Sequence, residues 1–320
     1  MPFPNINDIV ATTIEKRSKK VQDNVTKNNA LLAYIQDKGN VRTFGGGSFI
    51  YEELSFAENA NAGWYSGYDL LPVSAQDVIS AAQFDIKQAA VPVTISGLDD
   101  LRNSGPEQMI DLMESRMKVA ESTMLNLIAA GVYSDGTGAG GKQIVGLDAM
   151  IPTAPNTGVY GGIDRALWPF WRPRVVNGGV LTSANIQGAM NGMWAGLVRG
   201  MDRPDLIVVD NLMWQRYVAS LQALQRFSGA ETGKLGFPSI KFMDADVILD
   251  GGIGGFTGQN TMFFLNSKFM SYRPHARRNM VPLSPNRRYS INQDAEVQIL
   301  AWAGNLTSSG AQFQGRLLGT

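Results

Sequence analysis

Gly136-Thr137-Gly138-Ala139-Gly140-Gly141-Lys142 has the glycine and lysine spacing of a phosphate-binding loop. Such a loop cradles phosphates on backbone N–H groups and then needs a serine or threonine to reach magnesium. Position 143 is Gln. The spacing also predicts a helix before the loop and a strand after it, whereas phosphate must rest on the N-terminus of a following helix. Gly251-Gly252-Ile253-Gly254-Gly255 follows a predicted strand, but no third glycine completes a dinucleotide fingerprint. Asp244, Asp246 and Asp250 could be taken for a cation site, and Asp244 and Asp246 alternate onto one strand face, but a solvated face or ion pairs explains them better. The single histidine, His275, sits in Arg273-Pro274-His275-Ala276-Arg277-Arg278 with no carboxylate neighbour, and the arginines disfavour its protonated form. No pair of acids stands out as general acid and base. The residues therefore predict no catalytic, cofactor or metal site.

Composition narrows the classes further. The 320 residues include no cysteine, which excludes disulfides, thiolate metal sites and a cysteine nucleophile. Lysine plus arginine and aspartate plus glutamate are equal at 28 each, unlike a dedicated nucleic-acid-binding domain. No apolar run approaches a membrane span, and the N-terminus lacks the layout of a signal peptide.

The elements that remain are α+β. Ile6, Ile9, Val10, Ile14, Val21, Val25, Leu32 and Ile35 predict one helix over Asn5 to Asp37, ended by Gly39, with a basic patch from Lys16 to Lys20. Its apolar stripe is too sparse to hold it in place alone. Phe49 to Leu54 and Trp64 to Leu71 predict a two-stranded hairpin with its tip near Asn59 to Ala62. An isolated hairpin is marginal in water, so its aromatic residues need another surface. Strands are predicted at Ala82 to Lys87 and Val91 to Ser96. A helix follows from the capping box of Ser104 and Glu107 to a stop at Gly131, with Met109, Met113, Met117, Ala120, Met124 and Ile128 as its core stripe. Further expectations are a strand at Gln143 to Leu147 and helices at Thr182 to Arg199 and Leu212 to Phe227. Strands are expected at Asp205 to Asp210, Lys241 to Leu249 and Thr261 to Leu265, with extended chain at Ala295 to Trp302 and Gln312 to Leu318.

The stretch Tyr68 to Leu147 resembles major capsid proteins of tailed bacteriophages with the Hong Kong 97-like fold. The resemblance lies in Ile95-Ser96-Gly97-Leu98-Asp99-Asp100-Leu101-Arg102-Asn103-Ser104-Gly105, then Glu107-Gln108-Met109-Ile110-Asp111-Leu112. It continues in Tyr133-Ser134-Asp135-Gly136-Thr137 and Lys142-Gln143-Ile144-Val145-Gly146-Leu147. It implies an N-arm over residues 1–40, an E-loop hairpin over 41–80, a peripheral domain over 81–147 and 286–320 with a long spine helix, and an axial domain over 148–285.

The function so implied is non-enzymatic. The chain would assemble with itself into hexamers and pentamers of an icosahedral head around double-stranded DNA, without cofactor or membrane. DNA would lie on the inner face without sequence specificity, and portal, decoration and separate scaffolding proteins would be further partners. The chain opens directly on the arm, which fits separate scaffolding or none. Its place would be the virion, after assembly in the bacterial cytoplasm.

No lysine lies between Lys38 and Lys87, so the covalent cross-linking of some relatives is not expected here. Non-covalent contacts between subunits are expected instead from Phe49, Tyr51, Trp64 and Tyr65, and from Glu52, Glu53, Glu58, Arg277 and Arg278. The alternatives are an encapsulin-like compartment enclosing cargo enzymes and a nucleotide-binding enzyme using a glycine-rich loop.

Overall fold

The structure, a computed structural model, describes residues 29–97, 106–221, 239–250, 255–283, 288–289 and 295–320. Two sheets and one long helix organise it. The first sheet is built on a 14-residue strand, β14 (Ala295–Ser308). Along one side of β14 runs β3 (Lys87–Ser96), paired antiparallel from Ala295↔Ser96 to Gly304↔Lys87. Along the other side lie β11 (Met270–Pro274), β12 (Val281–Pro282) and β13 (Arg288–Tyr289). From Leu300 to Ser308 nearly every β14 side chain is buried, so both of its faces are covered. Pro92 is tolerated because β3 pairs only with β14, leaving an edge where a missing N–H costs no ladder bond.

The second sheet has six strands. Their order is β6 (Arg174–Asn177), β15 (Gly315–Leu318), β10 (Thr261–Leu265), β7 (Leu206–Val209), β9 (Ala245–Leu249) and β8 (Ser239–Phe242). Alternation along β10 separates two cores, as the two-residue period of a strand requires. Met262 and Phe264 pack with Met190, Met193, Met213 and Tyr217 of the covering helices α3 (Ile186–Ala195) and α4 (Asn211–Leu221). Phe263 and Leu265 face the other way, into a core shared with Leu300, Trp302 and Leu306 of β14. Each fully buried phenylalanine contributes about 1.5–3 kcal/mol of transfer free energy.

The long helix α2 (Pro106–Tyr133) has 28 residues, which makes a rod about 42 Å long. Met117, Ala120, Met124 and Ile128 are buried, as their spacing predicts. The helix does not stop at Gly131. That residue lies inside the helix because a β-carbon there would stand 3.0 Å from Ile144 Cδ1, so glycine permits a close approach of the following loop. The Ser104 capping position lies outside the described residues.

Helix α1 (Ala30–Asp37) starts at Asn29, whose extended backbone and side chain cap it: Leu32 N donates to Asn29 Oδ1 over 3.1 Å. The helix expected over Asn5 to Asp37 is broken at Asn29, and its residues before Asn29 lie outside the described residues. Ala30 to Ile35 are all buried. Tyr34 Oη donates to Asp205 O at 3.0 Å and Asn40 Nδ2 to Ser267 O at 2.6 Å, so this segment docks on its own chain.

Other expectations need correction. Gln143 to Leu147 is loop leading into a helical turn at Leu147–Met150, because Ser134 Oγ and Ser134 O bind Ile144 O and Gly146 N in place of a ladder. Lys241 to Leu249 is two strands folded at Met243, whose φ is +54°. The C-terminal strands part company: β14 pairs with β3, while β15 enters the six-stranded sheet. Met270–Pro274 and Val281–Pro282 join β14.

Candidate assembly surface

The hairpin forms, but with a different second strand. β1 (Phe49–Ser55) pairs antiparallel with β2 (Ile79–Asp85), from Phe49↔Asp85 to Ser55↔Ile79. Trp64 to Leu71 is instead part of the long loop between them. Ile50, Leu54, Ala82 and Phe84 turn one face inward. Phe84 meets Tyr160 edge-on at 5.2 Å between ring centroids, and Tyr160 stacks on Trp171, whose Nε1 donates to Tyr160 O at 2.8 Å. Phe56 closes the base against Trp168 and Phe170.

Beyond that base the chain covers little. Phe49 and Tyr51 lie on the outer face of β1, and Ile79 on β2 is exposed. In the loop, Trp64 has a relative exposure of 104%, and Tyr65, Tyr68, Leu70 and Val73 are also open to solvent. The loop is nonetheless tied by polar contacts of its own. Asn61 Nδ2 donates to Ser74 O at 2.5 Å, Ser74 Oγ to Asn61 Oδ1 at 2.9 Å, and Ser66 N to Asp69 Oδ2 at 2.8 Å. An apolar surface of this kind marks a site of interaction rather than core. Its charge is one-sided: residues 43–86 contain Glu52, Glu53, Glu58, Asp69, Asp77 and Asp85 and neither lysine nor arginine. Since the whole chain is balanced, the remainder carries the compensating positive charge.

Comparison with solved structures identifies this architecture. The chain aligns with a chain of the Cyanophage A-1(L) capsid asymmetric unit at TM-score 0.64 and 15% identity, over 88% of this chain and 90% of that one. It aligns with the capsid of a native GTA particle at TM-score 0.61 and 13% identity, over 89% and 90% of the two chains. With the capsid of Myoviridae Phage XM1 the TM-score is 0.53 at 13% identity, over 88% and 90%. The chain has a phage capsid fold. No protein-family model and no curated protein sequence matches it.

Within this capsid fold the expected contact residues fall into two sets. Phe49, Tyr51, Glu53, Glu58, Trp64 and Tyr65 are exposed on the hairpin and its loop. Arg277 and Arg278 are exposed after β11, where Arg278 Nη1 donates to Gln88 Oε1 at 3.1 Å. Glu52 differs from the rest. It is 8% exposed, turned inward between Ile50 and Leu54, where Thr307 Oγ1 donates to its Oε1 at 2.9 Å and Arg273 Nε stands 3.1 Å away. The strand's alternation gives this inward direction, but the sequence does not reveal that the inward side carries an arginine.

A trough missed by the sequence reading runs between β3 and α2 of the capsid fold. Val91, Val93, Arg116 and Val119 line one part of it, and Lys87, Leu127, Lys142 and Trp302 the next. None of its described lining residues is acidic.

Gly251 to Gly254 lie outside the described residues, and the other residues that suggested chemistry have structural roles. Gly138–Gly141 is a tight turn with Ala139, Gly140 and Gly141 all at positive φ. Gly141 O accepts from Lys87 Nζ at 2.8 Å, so the turn presents a carbonyl to a cation instead of N–H groups to phosphate. Thr137 donates through N and Oγ1 to Asp135 and holds that carboxyl below its ordinary pKa. Asp244 pairs with Arg203 at 2.9 Å, Asp246 lies on β9, and Asp250 faces Tyr133 and Thr257, so the three do not converge. No group of three metal-ligating side chains occurs among the described residues. His275 packs edge-on against Phe44 at 5.0 Å, and its Nδ1 accepts from Arg277 N. No helix among the described residues is long and apolar enough to cross a membrane.

Proposed function

We propose that the chain is the major capsid protein of a tailed bacteriophage, a non-enzymatic subunit that assembles with itself into hexamers and pentamers of an icosahedral head. The observation that carries the reading is the hairpin: a well-seated base and an ordered loop whose Trp64, Tyr65, Tyr68 and Leu70 have no cover in their own chain. Such aromatic side chains are the usual anchors of a protein interface. The hairpin takes the part of the E-loop, with its second strand reaching Asp85, and α2 that of the spine helix. Residues 1–40 act as an N-arm, and the six-stranded sheet forms the body of the axial domain.

In this reading the acidic, aromatic loop lies over an adjacent copy, whose trough between β3 and α2 offers apolar walls with Lys87, Lys142 and Arg116. Glu53 and Glu58 on one copy pair with cations such as Arg277 and Arg278 on another. Many such contacts, each weak, close a shell once their sum exceeds the cost of association. Double-stranded DNA occupies the inner face, and scaffolding, portal and decoration proteins complete the particle in the host cytoplasm.

Sedimentation followed by electron microscopy of the expressed chain tests this. Hollow shells, or rings of five and six, are the expected result. A monodisperse monomer or dimer at high concentration, with and without crowding agent, would overturn the reading. Shells that retain a co-purified enzyme in place of nucleic acid would replace it with a cargo compartment.

A further inference from the structure

The geometry points to a latch under the hairpin, in which Glu52, Arg273 and Thr307 set the angle of β1 and β2 against the sheet of β14. The role concerns positioning, and its meaning for particles rests on the assembly reading above. The latch itself is a property of the single chain.

Glu52 is a carboxylate on the inward face of β1, in line with Ile50 and Leu54. An aliphatic residue there would complete the apolar face, and a buried charge is costly without partners. Its partners come from the other body: Thr307 from β14 and Arg273 from β11, two strands paired beside one another through Ser271↔Thr307 and Arg273↔Asn305. A second tie holds β2, since Asn305 Nδ2 donates to Asp85 O at 2.9 Å. Asn305 Oδ1 meanwhile accepts from Val145 N at 3.0 Å, so one side chain joins the hairpin to the loop after α2.

The network is incomplete. Arg273 Nε is buried close to Glu52 yet makes no hydrogen bond, and the buried hydroxyl of Tyr160, on the segment beneath Phe84, has no partner either. Burial pushes the Tyr160 phenol well above its ordinary value, the Arg165 charge opposing this and the Glu52 charge adding to it. A fully satisfied network rigidifies its surroundings, whereas an unpaired buried polar group is costly. Glu52 is therefore tied to the second body by one hydrogen bond and one ion pair, which aim the hairpin.

Hydrogen–deuterium exchange on the full chain tests the latch with Glu52→Gln, Arg273→Met, the double variant and Thr307→Val. Glu52→Gln keeps the shape and an acceptor for Thr307 while removing the charge. Each single variant should speed exchange of amides in residues 49–55 and 79–85 by about tenfold or more, with 206–209 and 261–265 unchanged. The double variant should be no worse than the stronger single, because the two residues act as one contact. Unchanged exchange in the hairpin, additive effects, or loss of protection spread equally over the six-stranded sheet would each overturn the proposal. Thr307→Val gives the same readout if a charge variant fails to fold. Glu52→Gln particles should vary more in diameter than wild type. If the unmodified chain forms no shells, the capsid reading fails and the exchange result still decides the latch.

Discussion

Gly304 stands directly opposite Pro274 in the ladder between β14 and β11, with no room for a side chain between them. A β-carbon at Gly304 would lie 2.6 Å from Arg273 O, 2.7 Å from Trp302 Cζ2 and 3.1 Å from Pro274 Cα. Two of those atoms are backbone, so relief requires moving a strand. Gly304→Ala should destabilise the chain by about 1–3 kcal/mol, as overpacking does. Urea unfolding checks it, and a variant as stable as wild type would contradict the packing described for these strands.

The two sides of α2 should respond differently to truncation. Met124 is fully buried in the main core, and Met124→Ala should cost about 2–5 kcal/mol. Val119 is largely exposed on the trough, and Val119→Ala should change stability by less than about 0.5 kcal/mol. Thermal unfolding of the two variants side by side is sufficient.

The aromatic loop should separate folding from association. Trp64→Ala should leave unfolding within about 0.5 kcal/mol of wild type, because Trp64 touches nothing that unfolding would expose. It should nevertheless reduce particle yield by sedimentation more than Lys142→Ala does. Equal yields would remove the loop from the interface.

Asp250 should make stability depend on pH in an unusual direction. Burial raises its carboxyl above the ordinary value, and Tyr133 and Thr257 offset this only in part. The folded state therefore favours the protonated form. That contribution is complete below the unfolded pKa of about 3.9 and is lost as pH rises through the folded value. Asp250→Asn imitates the protonated form, so its stability relative to wild type should increase between pH 3.5 and pH 8. Urea titrations at the two pH values read this difference, and a constant difference would show that Asp250 ionises as freely folded as unfolded.

The sequence was legible where one residue's neighbours determine its fate. The inward alternation of Phe49 to Ser55 and the stripe from Met117 to Ile128 follow from period alone. The hairpin's second strand was legible in part, as a strand at Ala82 to Lys87, but not as the partner of Phe49 to Leu54. Ser80-Ala81-Ala82-Gln83 has little strand character, and only Ala82 and Phe84 carry the buried face, whereas Trp64 to Leu71 has the composition of a strand without a partner to pair with. Gly131 read as a stop because its reason, Ile144 pressed against the helix, lies 13 residues further on. The inward partner of Glu52 was invisible for the same cause: Thr307 is 255 residues away. The surface loop was legible as aromatic, and its acidity is a plain count.

β14 gives the molecule a line of force. The hairpin continues directly through Ile86 into β3, and β3 lies along ten residues of β14, which leads by a short turn into β15 of the second sheet. Lys87 and Gly304 lie at the same end of that antiparallel ladder, so a pull between the hairpin and the second sheet is taken up pair by pair from Gly304↔Lys87 rather than shared along its length. In a shell stretched from within, tension entering at one subunit's loop would meet that end of the ladder first, beside the hydrogen bond from Asn305 to Asp85.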